Sequence, residues 1–172
     1  KFVTYHDYNV FVTSQWTVSD ELTNFLSNVL NKQCENIGFI LKPHPRDWHT
    51  YSQLKKHKNI FLMDKYDNIY EILKIVDIHS TVYSTSGVEA LAFGKPNLFL
   101  NLGANIIDIF DIVDEKSSFI VDNEESFLEK LETITLDYEN CTKNASIKSE
   151  EFFKPNAINN FRLFFNSLGL ID

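Results

Sequence analysis

Lys42-Pro43-His44-Pro45-Arg46 combines side chains that could bind a phosphate group. The two prolines restrict the backbone on either side of His44 and would hold its imidazole in one place. An imidazole held in this way could donate a hydrogen bond to a phosphate oxygen and stabilise a departing phosphorylated group. We therefore predict that Lys42 and His44 bind phosphate and that His44 has a catalytic role.

A second segment, from Ser84 to Glu89, is rich in hydroxyl groups at the start of a predicted helix. Free backbone N–H groups at a helix start, together with the hydroxyls of Ser84, Thr85 and Ser86, could bind an anion. Ser86 and Glu89 also match the spacing of a capping box. Two interpretations stay open, because Ser86 could cap the helix while Ser84 and Thr85 contact a phosphate.

A third polar segment, Thr13-Ser14-Gln15-Trp16-Thr17, follows the first predicted strand. Its hydroxyl and amide groups could cap the next helix or contact an anion. The sequence does not decide between these alternatives, and we include Ser14 among the predicted binding residues.

Hydrophobic segments of about five residues alternate with helical patterns along the chain. The predicted strands cover residues 9–13, 37–42, 59–63, 77–83, 97–101 and 118–121. This alternation predicts a doubly wound, mostly parallel, Rossmann-like α/β sheet with helices on both faces. Ligands bind beyond the carboxyl ends of the strands in such sheets, which is where the three polar segments lie.

Helix boundaries are predicted from their caps. Asn68 should cap a helix that continues to Ile75, and Gly94 should end the helix that follows Ser84–Ser86. Asp122, with Glu125 three residues later, should cap a helix that continues to about residue 135.

We predict a single α/β domain over residues 1–172. Residues 1–8 form a lead-in, 9–135 the α/β core, and 136–172 a C-terminal helical segment broken near Pro155. Because the sequence starts at Lys1 rather than at a methionine, we expect it to be an excised or processed piece of a longer chain.

Charge and motif content exclude several classes of function. The net charge of −8 argues against a nucleic-acid partner, which usually requires a basic surface. Neither the glycine-rich dinucleotide fingerprint nor a Walker A loop is present. His44, His49 and His57 lack carboxylates at zinc-site spacing, so no metal site is predicted. We expect no covalently bound cofactor.

A cytoplasmic location is predicted from three features of the sequence. No run approaches the ~20 apolar residues that span a membrane. The visible start has no signal-peptide pattern. Cys34 and Cys141 are isolated, as is typical of reduced thiols inside the cell.

Lys42–Pro45 and Ser84–Pro96, in this order, resemble the C-terminal half of GT-B glycosyltransferases. More narrowly, the sequence resembles bacterial enzymes of surface-glycan synthesis: CDP-glycerol glycerophosphotransferases, Kdo and capsule polysaccharide transferases, and sialyltransferases. The resemblance extends over residues 11–102. A Ser-Thr pair, Ser84-Thr85, stands where these relatives have Ser-Ser.

The resemblance implies roles for individual residues. His44, Ser84 and Thr85 would contact the phosphate of a nucleotide-activated donor, and Glu89 its ribose. A CMP or CDP donor is favoured, while UDP stays open, and no metal is required. An N-terminal domain would bind the glycan acceptor and supply the catalytic base. The full-length protein could associate peripherally with the inner face of the bacterial membrane.

Two other functions stay open at this point. One is a sugar-nucleotide 2-epimerase, which shares the GT-B fold. The other is a non-catalytic interaction module that uses the phenylalanine-rich residues 152–168 as a docking surface.

Overall fold

The computed structural model describes residues 6–32, 36–103, 111–154 and 156. Its six strands form one sheet in the order β3-β2-β1-β4-β5-β6, and every neighbouring pair is parallel. Strands β1 to β6 span Tyr8–Thr13, Ile37–Lys42, Ile60–Leu62, Ile78–Thr81, Asn97–Leu100 and Ser118–Val121. The predicted α/β class with a parallel sheet is confirmed.

Helices connect these strands. They are α1 Ser19–Asn31, α2 Ile69–Leu73, α3 Ser86–Ala92, α4 Glu124–Leu136 and α5 Tyr138–Phe152, and a 3-10 turn spans Ser52–Lys56. The first part of the predicted C-terminal helical segment corresponds to α5. Pro155 and residues 157–172 of that segment, residues 1–5 of the predicted lead-in, and Cys34 lie outside the described residues.

Two of the predicted caps are confirmed and one is wrong. Asn68 accepts a hydrogen bond from the backbone of Tyr70 at 2.9 Å, and Gly94 ends α3 with φ +67. Asp122 does not cap α4. Asn123 has the extended backbone that an N-cap requires, and it forms a reciprocal capping box with Ser126.

Both faces of the sheet are covered by helices. Val10, Val12 and Phe39 pack on the side of α1 and α4, whereas Phe11 and Ile40 pack on the side of α2. Successive side chains of a strand point to opposite faces, so a strand buried on both faces reads as a continuous apolar run. This is why β1 and β2 could be recognised from sequence.

Strand register brings the polar segments to one edge of the sheet. Thr13, the last residue of β1, is paired with Lys42 of β2 on one side and with Thr81 of β4 on the other. The segments that follow these three strands therefore start next to one another.

Among the described residues, no helix is both long enough and apolar enough to cross a membrane.

Candidate functional site

The segments after β1, β2 and β4 meet at the topological switch point of the sheet. The chain winds from β1 to β2 and β3 on one side, and from β4 to β5 and β6 on the other. The connections leave in opposite directions at β1 and β4, which opens a crevice beyond their carboxyl ends. The three predicted polar segments border this crevice.

The segment after β1 is hydrogen-bonded to both of the others. Ser14 Oγ accepts a hydrogen bond from the backbone N–H of His44 at 2.8 Å. On the opposite side, Gln15 Nε2 donates to the carbonyl of Tyr83 at 2.7 Å, and the hydroxyls of Thr17 and Tyr83 are bonded to each other. The His-Pro segment and the segment preceding α3 are therefore held on either side of the β1 loop.

His44 is half-buried, and its hydrogen bond to Arg46 determines its tautomer. The backbone N–H of Arg46 donates to Nδ1 at 3.1 Å, so Nδ1 is an acceptor and the proton of the neutral ring is on Nε2. Burial, followed by the charges of Arg46 and Lys42, lowers the pKa of His44. His44 is therefore mainly a neutral imidazole at pH 7, and no group in the described part of the chain accepts a hydrogen bond from its Nε2–H.

Asp47 holds the His-Pro segment in place, a role that our sequence analysis missed. This buried carboxylate accepts hydrogen bonds from Ser14 Oγ (3.1 Å), Ser19 Oγ (2.9 Å), the Tyr51 hydroxyl (2.6 Å) and the His49 N–H (2.9 Å). Burial raises the pKa of Asp47, but these hydrogen bonds outweigh burial and hold it below its ordinary value. One local feature marks Asp47: its carboxylate accepts a hydrogen bond from the backbone N–H of His49 two residues later, as aspartates often do in turns.

Two predicted binding residues are engaged within the protein. Ser14 is buried and uses its hydroxyl to connect Asp47 with the backbone of His44. Lys42 is also buried, and its ammonium donates to the carbonyl of Lys65 at 2.7 Å. The structure thus places Ser14 and Lys42 in supporting contacts of the site.

The residues before α3 differ in exposure. Thr85 is exposed, Ser84 is half-buried, and Ser84 Oγ accepts from the Ser86 N–H at 3.2 Å. Ser86 is buried, and its hydroxyl lies 2.9 Å from Thr13 Oγ1. One interpretation of the sequence was that Ser86 caps α3, and it is wrong. Thr85 occupies the N-cap position, and Ser86 is the first helical residue.

Glu89 forms no capping box with Ser86. Its half-buried carboxyl lies near the Tyr70 side chain of α2. Burial raises the pKa of Glu89, and interaction with the Tyr70 hydroxyl opposes that rise.

His79, in the middle of the sheet, was also missed by our sequence analysis. It is fully buried between Thr13 Oγ1, 3.1 Å from Nε2, and Asn97 Oδ1, 2.7 Å from Nδ1. Burial lowers the pKa of His79 to about 4, although the hydrogen bond to Asn97 acts in the opposite direction. A histidine inside a strand carries no sequence signal for this role.

We expect the stability of the protein to fall as the pH decreases from 7 to 5. The unfolded chain takes up a proton on His79 near pH 6.5, whereas the folded protein does so only near pH 4. Stability is therefore lost as the pH falls through the range between these values, by about 2 kcal/mol at pH 5. Urea unfolding at both pH values measures the loss. The His79→Gln variant should lose less stability over this interval, and an equal loss in both proteins would contradict the assignment.

An open cleft of about 400 Å³ lies beside the His-Pro segment, at the amino end of α1. Its lining combines the exposed indoles of Trp16 and Trp48 and the side chain of Arg46 with the acidic Asp20 and Glu21. Aromatic faces and a guanidinium next to His44 could contact the parts of a ligand that extend beyond its phosphate.

Comparison with known proteins determines the family. Residues 4–160 match the family described as CDP-Glycerol:Poly(glycerophosphate) glycerophosphotransferase. The chain belongs to this family. A comparison with curated proteins gives no significant match.

Several solved structures share the fold of this family member. The C-terminal domain of the group 1 glycosyl transferase LpcC from Francisella tularensis is 17% identical, with a TM-score of 0.59 and 84% of each chain covered. A glycosyltransferase from Rickettsia africae is 14% identical, with a TM-score of 0.67, 94% of this chain and 48% of that chain covered. At these identities the likeness shows the fold, and the predicted similarity to GT-B C-terminal domains is confirmed.

Wall teichoic acid polymerase TagF is a further structural neighbour. Its complex with CDPG, in a histidine-to-asparagine variant, is 16% identical, with a TM-score of 0.56 and 86% of this chain and 37% of that chain covered. The chain thus spans half or less of the Rickettsia enzyme and of TagF.

Among residues 6–32, 36–103, 111–154 and 156, no group of three or more histidine, cysteine or acidic side chains is arranged to hold a metal ion.

Proposed function

We propose that this chain is the donor-binding domain of a glycerophosphotransferase, which transfers glycerol phosphate from CDP-glycerol to a surface polymer. The observation that carries this proposal is the convergence of His44 and the Ser84–Ser86 segment on one crevice, through the β1 loop that binds both. Family membership supports the choice of donor.

His44 is proposed to bind the donor as a neutral hydrogen-bond donor. Its Nε2–H would point to a phosphate oxygen of the cytidine nucleotide, while the hydroxyls of Ser84 and Thr85 bind the same group from the other side. When glycerol phosphate leaves for an acceptor hydroxyl, negative charge develops on the departing CMP. Hydrogen-bond donors that are already oriented toward that charge stabilise it without reorganisation.

The rest of the reaction is proposed to depend on residues outside this chain. The acceptor-binding site and the catalytic base would lie in a further domain. The chain alone should therefore bind CDP-glycerol without transferring its glycerol phosphate. Glu89 stays a candidate for the ribose, because its carboxyl is half-buried beside Tyr70.

Family membership also bears on the alternatives. A structure described as a putative UDP-N-acetylglucosamine 2-epimerase from Listeria monocytogenes has a TM-score of 0.58 at 14% identity. This similarity shows a shared fold only. The match over residues 4–160 to a transferase family supports transfer instead. An interaction module would not require the hydrogen-bonding groups of His44 and Ser84–Ser86 to lie together at the switch point.

Calorimetric titration of the 172-residue chain with CDP-glycerol, CMP, UDP and cytidine tests the proposal. We expect CDP-glycerol and CMP to bind, UDP to bind more weakly, and cytidine, which lacks phosphate, to bind at least tenfold more weakly than CMP, since ~1.4 kcal/mol corresponds to tenfold. Binding should persist in EDTA. Absence of binding by all four compounds, with a stable oligomer in size-exclusion chromatography, would instead favour an interaction module.

A further inference from the structure

Five residues below the crevice form a closed ring of hydrogen bonds. The contacts run from Ser86 Oγ to Thr13 Oγ1 (2.9 Å), from Thr13 Oγ1 to His79 Nε2 (3.1 Å), and from His79 Nδ1 to Asn97 Oδ1 (2.7 Å). Asn97 Nδ2 closes the ring on the carbonyl of Gly87 at 3.0 Å. The ring thus starts and ends on the first two residues of α3.

The direction of each bond can be derived from one fixed acceptor. The Gly87 carbonyl can only accept, so the amide nitrogen of Asn97 must face it and the amide oxygen must face His79. The Asn97 oxygen can also only accept, so His79 Nδ1 must carry the ring proton. His79 is therefore the Nδ1–H tautomer, with an unprotonated Nε2.

The two hydroxyls complete the sequence of donors. His79 Nε2 needs a donor, and Thr13 Oγ1 is the group within bonding distance. Having donated its proton to His79, the Thr13 hydroxyl must accept from Ser86 Oγ. Every donor in the ring has one acceptor, and reversing one bond would leave two acceptors or two donors facing each other.

Close packing leaves the ring little freedom to move. A Cβ atom at Gly87 would lie 2.6 Å from the ring of Phe99, so the helix start approaches β5 as closely as a glycine allows. The Phe11 ring lies edge-on to His79, with centroids 5.9 Å apart. Ser86, His79 and Asn97 are all buried, so water does not compete for their hydrogen bonds.

We propose that His79 and Asn97 are positioning residues, which hold the first turn of α3 against β1 and so set the position of Ser84 and Thr85 relative to His44. Ser86 transmits the constraint, because its N–H donates to Ser84 Oγ while its hydroxyl is held by Thr13. This inference rests on the proposed function, in which Ser84 and Thr85 bind the donor phosphate.

The strongest test changes Thr13, because replacing His79 would also remove its packing against Phe11. Thr13→Val deletes the hydroxyl that joins His79 to Ser86. We expect it to weaken CMP and CDP-glycerol binding by roughly three- to tenfold, as expected for one lost hydrogen bond in a fixed array. Thr81→Val is the matched control: Thr81 is a buried threonine that ends the adjacent strand, and its hydroxyl donates to the Thr13 carbonyl outside the ring. It should leave affinity within twofold.

Thr13→Ser distinguishes the hydroxyl from the methyl group, and should bind the nucleotides as the unchanged chain does. If Thr13→Ser binds as weakly as Thr13→Val, or if Thr13→Val and Thr81→Val have equal affinities, the inference is overturned while the proposed function stands. If the unchanged chain binds none of the nucleotides, the proposed function and the inference both fail.

The ¹⁵N chemical shifts of His79 provide a test that needs no ligand. We expect a protonated Nδ1, an unprotonated Nε2 and a slowly exchanging Nδ1 proton. In the Thr13→Val variant, Nδ1 should stay protonated, because its acceptor Asn97 is unchanged. An Nε2–H tautomer in the unchanged chain would reverse the derived bond directions and overturn the ring.

Discussion

Replacing Asp47 by alanine is expected to lower the free energy of unfolding by about 3–4 kcal/mol. The change removes an acceptor that the hydroxyls of Ser14, Ser19 and Tyr51 share. All three groups are buried, and Ser14 and Tyr51 would be left without an acceptor, whereas the Ser19 hydroxyl keeps the carbonyls of Gln15 and Trp16 as acceptors. Chemical denaturation followed by tryptophan fluorescence would measure the loss.

Asp67→Ala is a suitable control for this variant. Asp67 is an exposed carboxylate whose side chain accepts from the backbone N–H of Asp64. It should change stability by no more than about 0.5 kcal/mol, as is usual for surface positions. A similar effect of Asp47→Ala and Asp67→Ala would show that the buried network does not hold the His-Pro segment.

Replacing His44 by alanine is expected to weaken CMP and CDP-glycerol binding by about 1.5–3 kcal/mol, roughly 10- to 150-fold. The lost contact is a hydrogen bond from Nε2–H to a charged phosphate oxygen. Stability should change little, because the half-buried imidazole accepts a single bond, from the backbone of Arg46. Calorimetric titration measures the affinity and thermal unfolding the stability.

His44→Gln and His57→Ala serve as comparisons. The amide nitrogen of glutamine can occupy nearly the position of Nε2, so His44→Gln should retain part of the affinity. His57 follows the 3-10 turn and precedes β3, at the opposite end of that strand from the crevice, and His57→Ala should bind normally. Unchanged affinity in His44→Ala would remove His44 from the proposed site.

Raising the pH from 7 to 9 should not weaken binding through His44. Burial, Arg46 and Lys42 lower the pKa of His44 from its ordinary value of 6.5, so the ring is mainly neutral throughout this range. A cationic imidazole would instead lose affinity as the pH rises. CDP-glycerol is the ligand for this measurement, because the phosphate monoester of CMP itself titrates at about pH 6.

Much of the fold could be predicted from local patterns. The strands 37–42 and 118–121 match β2 and β6 to the residue, because buried runs of branched and aromatic residues are bounded there by turn-forming ones. The error at the start of α4 is also local. Asp122 and Asn123 are both good caps, and only the backbone conformation selects Asn123.

The candidate site could be predicted less completely. The sequence indicated that the segments around His44 and Ser84–Ser86 should lie at one edge of the sheet, because both follow parallel strands. It did not indicate that Ser14 and Lys42 are buried in supporting contacts. Local sequence patterns could place these side chains near the site but could not determine their partners.

The sequence by itself thus determined the succession of strands and helices, and which polar segments follow which strands. Tertiary structure alone decided that Asp47 and His79 organise the site. The physical reason is that their partners are remote in sequence: Asp47 is bonded to residues 33 and 28 positions away, and His79 to one 66 positions away. Such pairs meet only once β1 lies between β2 and β4, and this order depends on packing of the whole sheet rather than on any local pattern.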